Sequence, residues 1–321
     1  MTRHLWLLLR LLLTAALFVW LFHDGKLRAL QMPAEPAWLL PAWLCAGINE
    51  LAGTVRWWLC LRLAGVAVPF RRAAALYFLG LFTSLFLPGL VGGDAVKIAL
   101  LALQFPERKM GGIVAVLMDR LSGFVVVSLW ITLVGTLRGE WFQQTPTTAA
   151  LAHSVFRIFS IGGGGLLLWF TVSRTHFMQR RIRRFPFRKY IVHFESGFDA
   201  FIADRPRALA VLTLGGVCHA CYFLLTYFTA RAFASGLSLV DAFSIVPIID
   251  AVTMLPITLS GLGLREQSFA ALLTPLCGIA APTAVAISLL GFALGATWAL
   301  GGMPIFLRAR GDEASARDVG R

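Results

Sequence analysis

Charge is what this chain has least of. Aspartate, glutamate, lysine and arginine make up 14% of its 321 residues, where a soluble domain carries about 25%. With 58% hydrophobic residues and a mean hydropathy of +0.76, the deficit excludes a soluble globular domain. It predicts an all-α polytopic integral membrane protein. Acid is scarcer than base, 16 residues against 29, for a net charge of +13. The basic residues fall between apolar runs, and no basic stripe on a folded module accompanies them. They read as positive-inside topology signals with affinity for anionic headgroups, and nucleic acid is not an expected partner.

Other absences narrow the chemistry. The five cysteines stand at 45, 60, 218, 221 and 277. Cys218-His219-Ala220-Cys221 has redox or metal spacing, but it lies in an apolar run without a second ligand pair, so it reads as small filling of a helix. No Ser/His/Asp set, metal-ligand cluster or nucleotide loop is present. The expectation is therefore no catalysis, no metal and no cofactor. No small-residue cleavage pattern follows the first apolar run, which ends Trp20-Leu21-Phe22-His23-Asp24, so it reads as a retained span.

What is there is organised around one interrupted stretch, Thr83 to Lys97. Pro88 denies a helix its donor, and Gly92-Gly93 permit backbone angles that a side chain forbids. Asp94 is placed to cap a helix restarting at Ala95, with Lys97 in its first turn. Such breaks survive in a bilayer where protein or a water-filled cavity satisfies the freed backbone.

The rest follows in order. Spans are expected over Leu5–Phe22, Ala37–Leu63, Gly111–Leu137, Ala149–Val172, Arg207–Phe233 and Thr283–Leu307. Two interrupted segments, Ala73–Leu103 and Leu239–Leu276, have halves too short to cross and read as re-entrant hairpins. Val125–Val127 reads as lipid-facing. A dense basic block runs from Arg174 to Lys189. Ile191, Phe194, Phe198, Phe201 and Ile202 then recur at helical spacing, as in an interfacial amphipathic helix. Cytoplasmic arginines place both termini and the basic block inside, and Gln143–Thr148 outside.

This yields one transmembrane domain over 1–307, built of two inverted-topology repeats. Repeat one covers about 5–137 and repeat two about 149–307. A cytoplasmic loop with its amphipathic helix occupies 174–205, and residues 308–321 form a disordered tail. About six full spans and two re-entrant hairpins result. The breaks also match in spacing: Lys97 lies nine residues after Pro88, and Arg265 nine after Pro256.

Charges within a bilayer need a partner or a task. They occur at Glu50 and Arg56, Asp94 and Lys97, Asp119 and Arg120, Asp250, and Arg265 and Glu266. The plain reading pairs each acid with the nearest base. Arg10 and Arg231 reach the interface with their long side chains and carry no functional claim. Lys97 and Arg265 each accompany a half-helix N-terminus, whose exposed N–H groups and dipole attract anions.

Taken together, Leu87-Pro88-Gly89 with Gly92-Gly93-Asp94 and Lys97, Met118-Asp119-Arg120-Leu121-Ser122-Gly123, and Leu255-Pro256-Ile257 with Gly261-Leu262-Gly263-Leu264-Arg265-Glu266 resemble the transmembrane flippase domain of the lysylphosphatidylglycerol synthase family. The resemblance runs from the first span to Leu307. It departs at Asp119, where the family usually has glutamate, and at Lys97, where arginine is common; a lysine cannot grip phosphate in bidentate fashion. The soluble aminoacyl-transferring domain of some relatives is not expected here.

The resemblance implies an inner-membrane translocase, bacterial and multi-pass, for a phospholipid or lipid-linked anion. The candidate substrate-binding set is Lys97, Arg265, Arg120 and Arg56 with Asp94, Glu266, Asp119, Gly92, Gly93, Gly261 and Gly263. Arginine far outnumbering lysine fits a GC-rich bacterial genome. Two other readings stand beside it: a membrane enzyme of lipid or glycan transfer, and a non-transporting scaffold of an envelope-synthesis complex. Whether copies form a homo-oligomer is left open, as are the lipid carried and the direction and energy source of transport.

Overall fold

The computed structural model describes residues 33–85, 92–172, 199, 201, 203–254 and 263–307. The first expected span with Arg10, both Leu-Pro breaks, Gly261, the basic block, most of the amphipathic segment and the tail lie outside these residues. Among the described residues every regular element is helical. The helices are α1 (Leu39–Leu63), α2 (Phe70–Ser84), α3 (Gly92–Gln104), α4 (Lys109–Arg138), α5 (Pro146–Val172), α6 (Arg205–Ala232), α7 (Leu239–Thr253), α8 (Leu264–Cys277) and α9 (Ala281–Ala299).

Among the described residues three stretches are long and apolar enough to cross a membrane: Pro106–Gln144, Arg205–Ala232 and Ala281–Leu307. The first and third contain the expected spans Gly111–Leu137 and Thr283–Leu307, and the second overlaps Arg207–Phe233 in all but its last residue. The chain is a multi-pass membrane protein of helices, and the exposed Leu129, Leu133, Leu137, Ile158 and Leu209 suit lipid contact.

By contrast, α2 and α3 are short, with 15 and 13 residues, about 20 Å each at 1.5 Å per residue. They pack antiparallel as a hairpin. At its open end Arg72 Nε donates to Gln104 Oε1 at 2.9 Å. Near its tip, a Cβ on Gly93 would collide with the Gly80 carbonyl oxygen and Ser84 Oγ. Only glycine allows the two backbones that close. The open end lies beside the turn after α1, where Arg108 Nη1 donates to the Gly65 carbonyl. That turn leaves α1 through Gly65 at φ 74°, a left-handed conformation suited to glycine.

Helix α4 runs from this end to the opposite one, where Arg138 Nη1 bonds Asp241 Oδ1 at 2.8 Å and Ser244 Oγ at 2.9 Å. Those two residues belong to the start of α7. Helix α8 packs against the 139–144 turn at the same end. The α7–α8 pair therefore has its outer ends where α4 finishes, and the α2–α3 pair has them where α4 begins.

In lipid, helices gain little from the hydrophobic effect, so close packing and hydrogen bonds hold them. The most extensive pair is α1 against α6. One apolar cluster around Trp57, Leu61, Leu76 and Leu101 joins α1 to α4. A second around Ile131, Ile245, Ile248 and Leu272 joins α4 to α9. Phe201, from the amphipathic segment, packs on the first. Gly47 admits the Trp298 ring, which stacks on Trp43 at 4.6 Å, and Trp298 Nε1 donates to the Trp43 carbonyl. The Val125–Val127 expectation needs correction: Val127 is fully buried in the second cluster, and the exposed position nearby is Leu129.

Candidate functional site

A cavity of about 710 Å³ opens where the α2–α3 hairpin meets α1, α4, α6 and α7. Helix α3 contributes Gly93, Asp94 and Lys97 to its wall. Gly92 and Gly93 start that helix, so Asp94 lies inside its first turn rather than capping it. The Asp94 carboxylate bonds two cations: Lys97 Nζ at 2.6 Å to Oδ1 and Arg120 Nε at 2.6 Å to Oδ2. Lys97 is buried and stands 4.5 Å over the Trp57 ring and 5.5 Å from that of Tyr77, a cation–π setting on top of its ion pair. Arg120 differs. Its side chain is 47% exposed, and only its Nε is engaged by Asp94.

Glu50, Arg56 and Asp119 do not pair with the charges nearest them in sequence. Arg56 Nε bonds Asp119 Oδ1 at 2.8 Å across α1 and α4. Glu50 accepts from the Tyr77 hydroxyl at 3.2 Å and Asn49 Nδ2 at 3.1 Å. The reason is angular: adjacent residues such as 119 and 120, or residues six apart such as 50 and 56, point to different faces of a helix. Arg56 and Asp119 therefore meet across two helices, and Glu50 meets Tyr77 on a third.

A second chamber of about 350 Å³ adjoins the first, sharing Asn49, Glu50, Ser84, Arg120 and Tyr222 as walls. Helix α8 adds Arg265 to the charges on its wall. Gly263 at φ 83° precedes it, and its backbone N donates at 2.6 Å to Glu266 Oε2. Glu266, fully buried, also takes Arg265 Nη2 at 2.9 Å and Ser288 Oγ at 2.8 Å through Oε1. Arg265 Nε donates to Ser288 Oγ at 3.0 Å, and the guanidinium lies 4.7 Å over Phe292. Lys97 and Arg265 thus line different chambers, each held by a carboxylate from its own helix. Arg120 lines both.

Two residues the sequence reading did not join complete the site. His219 Nδ1 lies 3.0 Å from Asp250 Oδ2, and His219 Nε2 lies 3.2 Å from the Gly123 carbonyl oxygen. The Cys218–Cys221 spacing around His219 points to redox or metal chemistry. The plainer signal, an ionisable side chain amid an apolar span, is the one that matters. Cys218 Sγ donates to the Asn49 carbonyl at 3.5 Å, and Cys221 is buried. Arg231, near one end of α6, lies over the Trp38 ring.

In the comparisons with known proteins, the family model described as the lysylphosphatidylglycerol synthase TM region matches residues 7–300. No curated protein matches the chain.

Proposed function

The chain belongs to the lysylphosphatidylglycerol synthase TM-region family, and from that premise we propose that it is a translocase carrying a phosphate-bearing lipid, or a lipid-linked anion, between the leaflets of a bacterial inner membrane. The proposal extends to architecture. Residues 1–307 form one domain of two inverted repeats, about six spans and two re-entrant hairpins, with both termini in the cytoplasm. The opposite placement of the outer ends of α2–α3 and α7–α8 supports it.

The observation that carries the reading is Arg120. It is the half-exposed cation on a wall common to both chambers, and its guanidinium presents a planar fork suited to phosphate oxygens. Lys97 and Arg56 line the larger chamber and Arg265 the smaller, with Asp94, Asp119 and Glu266 as counter-charges; Gly93 permits the close approach of α2 and α3, and Gly263 the positive-φ turn before α8. The cargo's headgroup occupies the chambers while its acyl chains remain in lipid. In this reading the protein acts as a carrier, not an enzyme.

The test is reconstitution of the full chain in vesicles of phosphatidylethanolamine and phosphatidylglycerol, with a fluorescent phosphatidylglycerol in one leaflet. The expected result is exchange between leaflets faster than in protein-free vesicles, and faster for phosphatidylglycerol than for a labelled phosphatidylcholine. Exchange no faster than in empty vesicles would remove the translocase reading and favour a scaffold.

A further inference from the structure

His219 sits at the middle of α6, fourteen residues in from Arg205 and thirteen from Ala232. Asp250 lies three residues before Thr253, the last residue of α7. The two side chains are 13% and 21% exposed, and both line the larger cavity. They are therefore paired at mid-span yet open to the cavity.

The geometry gives a proton a place between them. A carbonyl oxygen only accepts, so the contact between His219 Nε2 and Gly123 O requires Nε2 to carry hydrogen. Nδ1 then faces Asp250 Oδ2 at 3.0 Å. If neither atom carried a proton, two lone pairs would oppose each other inside the membrane. The contact is favourable only when one proton lies between them, as imidazolium with carboxylate or as imidazole with carboxylic acid. In both forms the pair is neutral; without the proton it is an anion.

The surrounding charges give that proton a consequence. From α1 the wall carries Glu50 and Arg56, from α2 Tyr77, from α3 Asp94 and Lys97, from α4 Asp119 and Arg120, and from α6 also Cys218 and Tyr222. Counting every carboxylate as ionised, three cations face three carboxylates. The wall is then neutral with the shared proton and carries one negative charge without it. The step of one charge holds whatever the state of Glu50. In a site of low dielectric a unit charge weighs heavily on an anion nearby, so the protonated wall accepts an anionic headgroup and the deprotonated wall expels it.

We infer that His219 and Asp250 form a proton-binding site and that the protein is a proton–anion symporter, moving one proton with each anionic headgroup. This rests on the translocase reading. The proton enters from water on one face, resides between Nδ1 and Oδ2, and leaves to water on the other. No other bond is made or broken. Loss of the proton leaves the imidazole one N–H for two acceptors, so either the contact to Asp250 on α7 or that to Gly123 on α4 is given up, which lets the emptied carrier rearrange.

The experiment uses the full chain in vesicles of phosphatidylethanolamine and phosphatidylglycerol, with fluorescent phosphatidylglycerol as the probe. An about tenfold proton gradient, worth about 1.4 kcal/mol, is imposed in either direction. In wild type, acid on the side holding the probe should speed its departure severalfold, and the reverse gradient should slow it. For Asp250→Asn and His219→Gln, each compared with its own rate without a gradient, the ratio should fall to one. A wild-type rate indifferent to the gradient, or faster with the gradient reversed, overturns symport even where basal exchange is sound. Retention of the full ratio by both variants overturns the site. Absence of exchange in wild type without any gradient overturns the translocase reading first, and symport falls with it.

Discussion

Arg120 and Asp94, 26 residues apart, meet at 2.6 Å and tie the first turn of α3 to the middle of α4. Through this bond the short hairpin is fastened to a long span. Asp94 holds Lys97 with its other oxygen, so one buried carboxylate serves two cations. The Lys97 side chain is sealed and Arg120 stands in the cavity. The same carboxylate therefore stabilises the hairpin and aims a guanidinium.

The Arg56–Asp119 pair should behave as structure. Both side chains are nearly buried, and removing one partner of a buried pair costs about 3–5 kcal/mol because the other charge remains. Asp119→Ala is expected to lower the thermal midpoint in detergent sharply. The double change Arg56→Met with Asp119→Leu should recover most of it. A double variant no more stable than the single one would show that Arg56 has another anionic partner.

Gly93 sets a different constraint. Any side chain there meets the Gly80 carbonyl and Ser84 Oγ, so Gly93→Leu should force α2 and α3 apart and reduce the yield of folded protein. Leu129→Ala, at a 62% exposed position, is the matched control and should be tolerated. Fluorescence-detected chromatography compares the two. Equal yields would mean that the hairpin does not need the close approach.

The contrast between these sites shows what the sequence could convey. The hairpin was legible because glycine and aspartate interrupt an apolar run and act locally. The helices were legible because the runs are long. Partner choice was not: Arg56 with Asp119 and His219 with Asp250 depend on which faces meet after packing. A helix apolar on every side carries no such mark, which is also why Val125–Val127 read as lipid-facing when Val127 is buried. Asp250, the one intramembrane acid with no base near it in sequence, finds its partner 31 residues earlier on α6.

Orientation can be tested directly. Gln144 is exposed in the turn after α4, and the positive-inside rule puts that turn outside. In a background with the native cysteines replaced, Gln144→Cys should react with an impermeant thiol reagent in intact cells. Gln104→Cys, at the open end of the α2–α3 hairpin, should react only after permeabilisation. The opposite pattern would turn the whole topology over.

Arg120 and Lys97 should separate function from stability. Arg120 is half-exposed, and its loss leaves Asp94 still bonded to Lys97, so Arg120→Ala should fold. It should weaken binding of phosphatidylglycerol by about 1.5–3 kcal/mol, the scale of hydrogen bonds to charged groups. Arg120→Lys should recover part of that, because it restores the charge without the planar fork. Lys97→Ala should do the reverse. It empties a sealed position over Trp57 and Tyr77, so melting should suffer more than lipid binding. Lys97→Arg must fit a larger head into that space and is expected to be poorly tolerated, although a guanidinium suits phosphate better. Native mass spectrometry of lipid adducts and thermal melting of the same preparations give both quantities. If Lys97→Ala lost lipid while keeping its melting point, and Arg120→Ala kept lipid, the two residues would exchange roles and the headgroup would belong at α3.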